Sequence, residues 1–116
     1  MNIVHVQFSI DDRARGDEIA SALLHDRLVA CVQTCGPITS RYWWHGSVDE
    51  AQEWLFVCKT TRDRYAEVVE LVRRRHPYEV PEIVDYELTA DVAYGAWVAA
   101  ETRRPLLGTD DDRGDH

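Results

Sequence analysis

An α+β sandwich, built in the order β-α-β-β-α-β with one further short helix, is the fold class this 116-residue sequence predicts. Three observations carry it. Apolar and polar residues alternate in four stretches, the period of a half-buried strand. Between the first and second of these, and again between the third and fourth, apolar residues recur at the i, i+3, i+4 spacing of an amphipathic helix. The composition is that of a single folded domain: 45% hydrophobic and 29% charged residues leave too much apolar material for a chain disordered throughout.

Each element has its own justification. Val4, Val6 and Phe8 alternate with His5 and Gln7, giving a first strand. Asp11-Asp12 offer an N-cap, and Ile19, Leu23 and Leu24 keep helical spacing to about Leu28. Val29 to Trp44 is β-branched and aromatic, but long for one strand, and Gly36-Pro37 in its middle predicts a bulge or bend. Gly46-Ser47 marks a turn. Glu53 to Thr61 alternates, with Trp54, Phe56 and Cys58 on one face and Leu55, Val57 and Lys59 on the other. Thr61 can cap a second helix whose apolar stripe is Tyr65, Val68, Val69, Val72 and His76, and Pro77 ends it. Glu82 to Thr89 alternates again, and Val92 to about Thr102 reads as a last helix.

These elements form two βαβ-like halves, a split βαβ of the ferredoxin-like kind over residues 1–104. Residues 105–116 read as an acidic, disordered tail. Its four acids and one base take −3 of the net charge of −8 and leave the body at −5. Both main helices would cover one sheet face, so the other face predicts self-association. Tyr42, Trp43, Trp44 and Trp54 lie on strands long enough to project, and projecting aromatic strands need a neighbour.

The charge disfavours nucleic acid as a partner, since an acidic body repels phosphate backbones. No apolar run approaches the length of a membrane span, so no membrane partner is expected. Three Cys argue against a disulfide framework, and Met1 to Val6 reads as a first strand rather than a leader; the expectation is a cytoplasmic protein.

Five short runs, in this order, resemble the CutA family of divalent-cation tolerance proteins. They are Leu28-Val29-Ala30-Cys31-Val32, Ser40-Arg41-Tyr42-Trp43-Trp44-His45-Gly46, Lys59-Thr60-Thr61, His76-Pro77-Tyr78-Glu79-Val80-Pro81-Glu82 and Tyr94-Gly95-Ala96-Trp97. The resemblance spans about residues 3–104 and implies a homotrimer in which strands of one subunit pair with those of the next. It also implies a non-enzymatic protein of copper and divalent-metal tolerance. In some members copper binding is attributed to a Cys ending the first strand and to paired His before Pro-Tyr. Here those places hold Phe8 and Arg75-His76, so one imidazole survives.

The remaining metal candidates are His76 with Glu79 and Glu82, a set that would bind copper or zinc weakly and would not be needed for folding. Cys31 and Cys35 lie about 13 Å apart along a strand, too far to share a metal, and the thiols are expected to be buried and inert. Lys59, the only lysine, either pairs with a carboxylate or faces a cleft with Trp44, Tyr78 and Glu82. In the second case it could hold a small anionic effector between subunits, the alternative function of a PII-like trimeric sensor. No nucleophile elbow, phosphate loop or dinucleotide fingerprint occurs, and no enzyme is expected.

Overall fold

The computed structural model describes residues 1–103. Strands β1 (Asn2–Ile10), β2 (Cys31–Trp44), β3 (Ser47–Thr60) and β4 (Ile83–Thr89) and helices α1 (Arg13–His25), α2 (Tyr65–Arg75) and α3 (Val92–Glu101) follow the predicted order. The expected tail, 105–116, lies outside the described residues. The strands form one antiparallel sheet in the order β2-β3-β1-β4.

The core sits between α1, α2 and one sheet face. Alternation sends Val4, Val6, Phe8 and Ile10 of β1 to that face, where they meet Ile19 and Leu23 of α1 and Val68, Leu71 and Val72 of α2. Phe8 and Phe56 are direct cross-strand partners, and their rings stack at 5.0 Å. Each such fully buried side chain is worth about 1.5–3 kcal/mol. Helix α1 crosses close to the sheet because Gly16 has no side chain; a Cβ there would lie 2.3 Å from the Phe56 ring.

Asp12 caps α1 by accepting from the Arg15 N–H. The helix stops at His25, earlier than the spacing to Leu28 suggests. Arg27 there turns left-handed at φ 57°, the Leu28 N–H returns to Leu23 O, and the Arg27 N–H returns to Leu24 O. The Arg27 guanidinium is fastened to Glu101 at 3.0 Å. Thr61 does not cap α2 with its side chain; its carbonyl accepts from Arg64 in a 3-10 turn over Arg62–Arg64 that leads into the helix.

The opposite sheet face is covered at one end only. There α3 buries Ile3 and Val98 and lays the Gly95 backbone on Met1. The predicted irregularity in β2 is present as a register shift between Cys35 and Ile38, with Gly36 at φ 148° against Trp54. Strand β3 starts at Ser47, well before the expected Glu53. Residues 38–44 and 47–53 therefore form a two-stranded arm beyond the last β1–β3 pair, Ile10 with Trp54. The described chain extends 52 Å along its longest axis as a result. His45 and Gly46, at φ 50° and 85°, close the arm in a two-residue turn of the type whose twist suits a hairpin.

Candidate functional site

Three groups of chemistry-bearing side chains stand out, and the register decides which of them meet. The first lies on the open face. Cys31 of β2 pairs with Lys59 of β3, Lys59 with His5 of β1, and His5 with Tyr86 of β4. One row across the four strands thus carries a thiol, an ammonium, an imidazole and a phenol. Lys59 Nζ donates to Gln33 Oε1, and His5 Nδ1 bonds the Tyr86 hydroxyl at 3.3 Å. Among the described residues no carboxylate lies within ion-pair distance of Lys59, so the expected carboxylate partner is not found among them. Partial burial, and then the Lys59 charge, hold His5 below its usual value of 6.5. At the far end of the row the phenol of Tyr94 of α3 is pushed up by burial and by the nearby Cys31 thiol.

The second group joins the segment after α2 to the sheet. His76 is buried at the end of α2, with Nε2–H donating to the Ser9 carbonyl at 2.7 Å and Nδ1 accepting from the Tyr78 N–H at 3.1 Å. Only the Nε2–H tautomer can make both bonds. The Tyr78 hydroxyl donates to the buried Glu53 at 2.7 Å, and its ring stands edge-on to His76 at 4.6 Å. Burial, followed by Glu53, pushes the Tyr78 phenol far above its usual range, which keeps it a donor. Glu82 accepts from Gln7 at 3.3 Å and from Ser9 at 3.5 Å.

The expected metal set looks different in this setting. Both His76 nitrogens are engaged, Glu79 and Glu82 are exposed, and the described residues contain no group of three or more His, Cys, Asp or Glu able to hold a metal. The three are not assembled as ligands within one chain. Arg75 turns away from them, into a shallow groove with Asp17, His25 and Asp26. Phe8 is wholly buried, so its end of β1 offers packing and no donor.

The expected cleft of Lys59, Trp44 and Tyr78 is likewise not formed by one chain. Lys59 and Trp44 sit at opposite ends of the β2–β3 ladder, about 40 Å apart at the rise of a strand, and Tyr78 stands beside Glu53 between them. The thiols differ among themselves: Cys58 is buried with its thiol pushed up to about 12, Cys31 is half-buried, and Cys35 is exposed, so the burial expected of Cys31 and Cys35 is met in part at Cys31 and not at Cys35. Alternation had already put Lys59 on the face opposite Phe56 and Cys58, which the structure shows to be the one away from the core. Sequence reasoning missed His5, Tyr86 and Gln33 as its companions because only the register aligns them.

The third group is the arm. Tyr42 and Trp44 lie on one side and Trp43 with Val48 on the other, all exposed, and Trp43 keeps 74% of its surface. Trp54 lies at the root of the arm, partly buried and packed on the core.

The family model of the CutA1 divalent ion tolerance protein matches residues 4–101. The Divalent-cation tolerance protein CutA of Thermus thermophilus is 48% identical over 66 residues, which cover 57% of this chain and 64% of that one. The Divalent-cation tolerance protein CutA of Thermotoga maritima is 39% identical over 83 residues, covering 72% and 79%. Among solved structures, CutA1 from Oryza sativa superposes with a TM-score of 0.85 at 27% identity, over 90% of this chain and 97% of that one. The Thermus thermophilus structure gives 0.83 at 36% identity, over 89% and 100%.

Proposed function

This chain belongs to the CutA1 divalent ion tolerance family, and from that premise we propose that it is a non-enzymatic divalent-cation tolerance protein acting as a homotrimer. The observation that carries the reading is the arm, residues 38–53, a two-stranded ribbon with exposed aromatics and no neighbour within the described chain. A ribbon of this kind is a liability in water until another copy pairs with it. Self-pairing in a ferredoxin-like trimer also supplies what one chain lacks, namely more than one set of donors at a shared surface.

Copper or zinc is engaged weakly, through the exposed Glu79 and Glu82 of adjacent copies, and is not needed for folding. His76 takes no part, because ligation would break two buried hydrogen bonds. The same engagement supports a non-enzymatic role: the best placed imidazole holds the loop and has no free lone pair for proton transfer. Cytoplasmic residence fits the three free thiols.

Calorimetry with Cu²⁺ and Zn²⁺, beside light scattering, tests both halves. A weak saturable isotherm, lost in Glu79→Gln/Glu82→Gln and kept in a folded His76→Gln, supports the metal half. An isotherm unchanged by the double substitution, or no saturation at all, overturns it. A stable monomer overturns the trimer.

A further inference from the structure

We propose that the sheet face opposite α1 and α2 carries an ion pair between copies of this chain, the Lys59 ammonium of one subunit meeting the buried Glu53 carboxylate of the next. The proposal rests on the homotrimer reading and names a contact that would hold the copies together.

The two groups are unmatched charges of the same sheet. Lys59 is the only lysine in a chain with 21 acids, yet its half-buried ammonium donates to the neutral Gln33 amide. Glu53 keeps only 5% of its surface, and its Oε2 accepts from the neutral Tyr78 hydroxyl at 2.7 Å. No cation lies within ion-pair distance of Glu53 among the described residues. A carboxylate out of water with one neutral donor is costly, and an ammonium brought to it removes that cost. The second oxygen is reachable: Glu53 Oε1 takes no bond, and no fully buried side-chain oxygen among the described residues is without a partner, so Oε1 opens to the surface.

One chain cannot join them. Glu53 precedes Lys59 by six residues of β3, so strand alternation turns both to the same side and keeps them about 20 Å apart. A second copy laid on that side can bring its own Lys59 to Glu53. In a ring of three every copy then gives one ammonium and receives one, a head-to-tail contact that closes on itself.

The other charges of the sheet are less suited. Besides Lys59 the four strands carry one further Lys or Arg, and that residue, Arg41, is bonded to Glu50 at 2.9 Å within the arm. Glu82 is a second acid on this side, where it accepts from Gln7 at 3.3 Å and from Ser9 at 3.5 Å. It is exposed, so water already solvates its charge, whereas Glu53 has lost that solvation. The gain from pairing is therefore larger at Glu53.

Carbodiimide cross-linking of the full chain tests the contact, because an amide forms only where an amine already touches a carboxylate. Lys59 carries the only side-chain amine, which makes the linked peptides easy to assign by mass spectrometry. The expected products are covalent dimers and trimers on a denaturing gel, with Lys59 joined to Glu53. A particle that light scattering shows to be trimeric, but with Lys59 joined to Glu82 or to no acid, overturns the pair and leaves the trimer standing. A stable monomer overturns both. Lys59→Met and Glu53→Gln, checked for folding by circular dichroism, should each raise the concentration at which the trimer dissociates by about 100-fold. The two substitutions together should cost little more than either alone, and effects that simply add would refute the pair.

Discussion

His76 shows how one buried side chain can be read two ways until its partners are known. Its spacing to Glu79 and Glu82 suggested a ligand, whereas its two hydrogen bonds make it a brace between α2, β1 and the following loop. His76→Ala should lower stability by about 1–3 kcal/mol, since it leaves the Ser9 carbonyl and the Tyr78 N–H unsatisfied. Urea unfolding checks this, and an unchanged midpoint would refute the brace. Tyr78→Phe should cost a similar amount, about 1–3 kcal/mol, by leaving the buried Glu53 without its donor. His5 gives a pH effect of definite sign. Its folded value lies below 6.5, so the unfolded chain takes up the proton first on acidification. The stability it contributes is complete above pH 6.5 and is lost as pH falls through the lower folded value. His5→Gln should therefore flatten the loss of stability below pH 6.5, read from unfolding midpoints at graded pH. The thiols should alkylate in the order Cys35, Cys31, Cys58, following exposure and the raised Cys58 value; mass spectrometry of partly modified protein reads that order.

At the scale of elements, the strands and helices were legible because their apolar periods are strong, and their ends were less so. Helix α1 stops at a left-handed Arg27 that carries no glycine signal, and only the Glu101 contact shows what holds it. Strand β3 reaches back to Ser47 through Asp49, Glu50 and Gln52, polar residues with no apolar alternation, since no core lies beneath an arm. Two glycines separate steric from conformational demands. At Gly46, Ala would meet nothing within 4 Å, so its cost of about 1–2 kcal/mol comes from φ alone. At Gly16, Ala would collide with Phe56 and should cost about 1–3 kcal/mol or more by overpacking. Thermal melts of the two variants should rank Gly16→Ala as the more harmful; the reverse ranking would show that the α1–β3 contact yields easily.

For the whole molecule, the arm is a ribbon with exposed aromatics and no neighbour among the described residues. Light scattering should give about 40 kDa, three times the 13.4 kDa chain. Trp44→Ala should shift that mass downward while far-ultraviolet circular dichroism stays near wild type, because the arm contributes little to the core. The sequence by itself determined the order of elements, the two alternating faces of β1, β3 and β4 and the family, because periodicity and a run such as His76-Pro77-Tyr78-Glu79 are local properties of the chain. It also put Lys59 on the face opposite Phe56 and Cys58. Only the tertiary structure decided that His76 is a brace, that Trp54 packs inward, and that His5, Lys59, Cys31 and Tyr86 share one row. Those facts depend on strand register and on loop closure between residues as many as 81 positions apart. Such pairings are set by the packing of the entire sheet, and no window of sequence contains them.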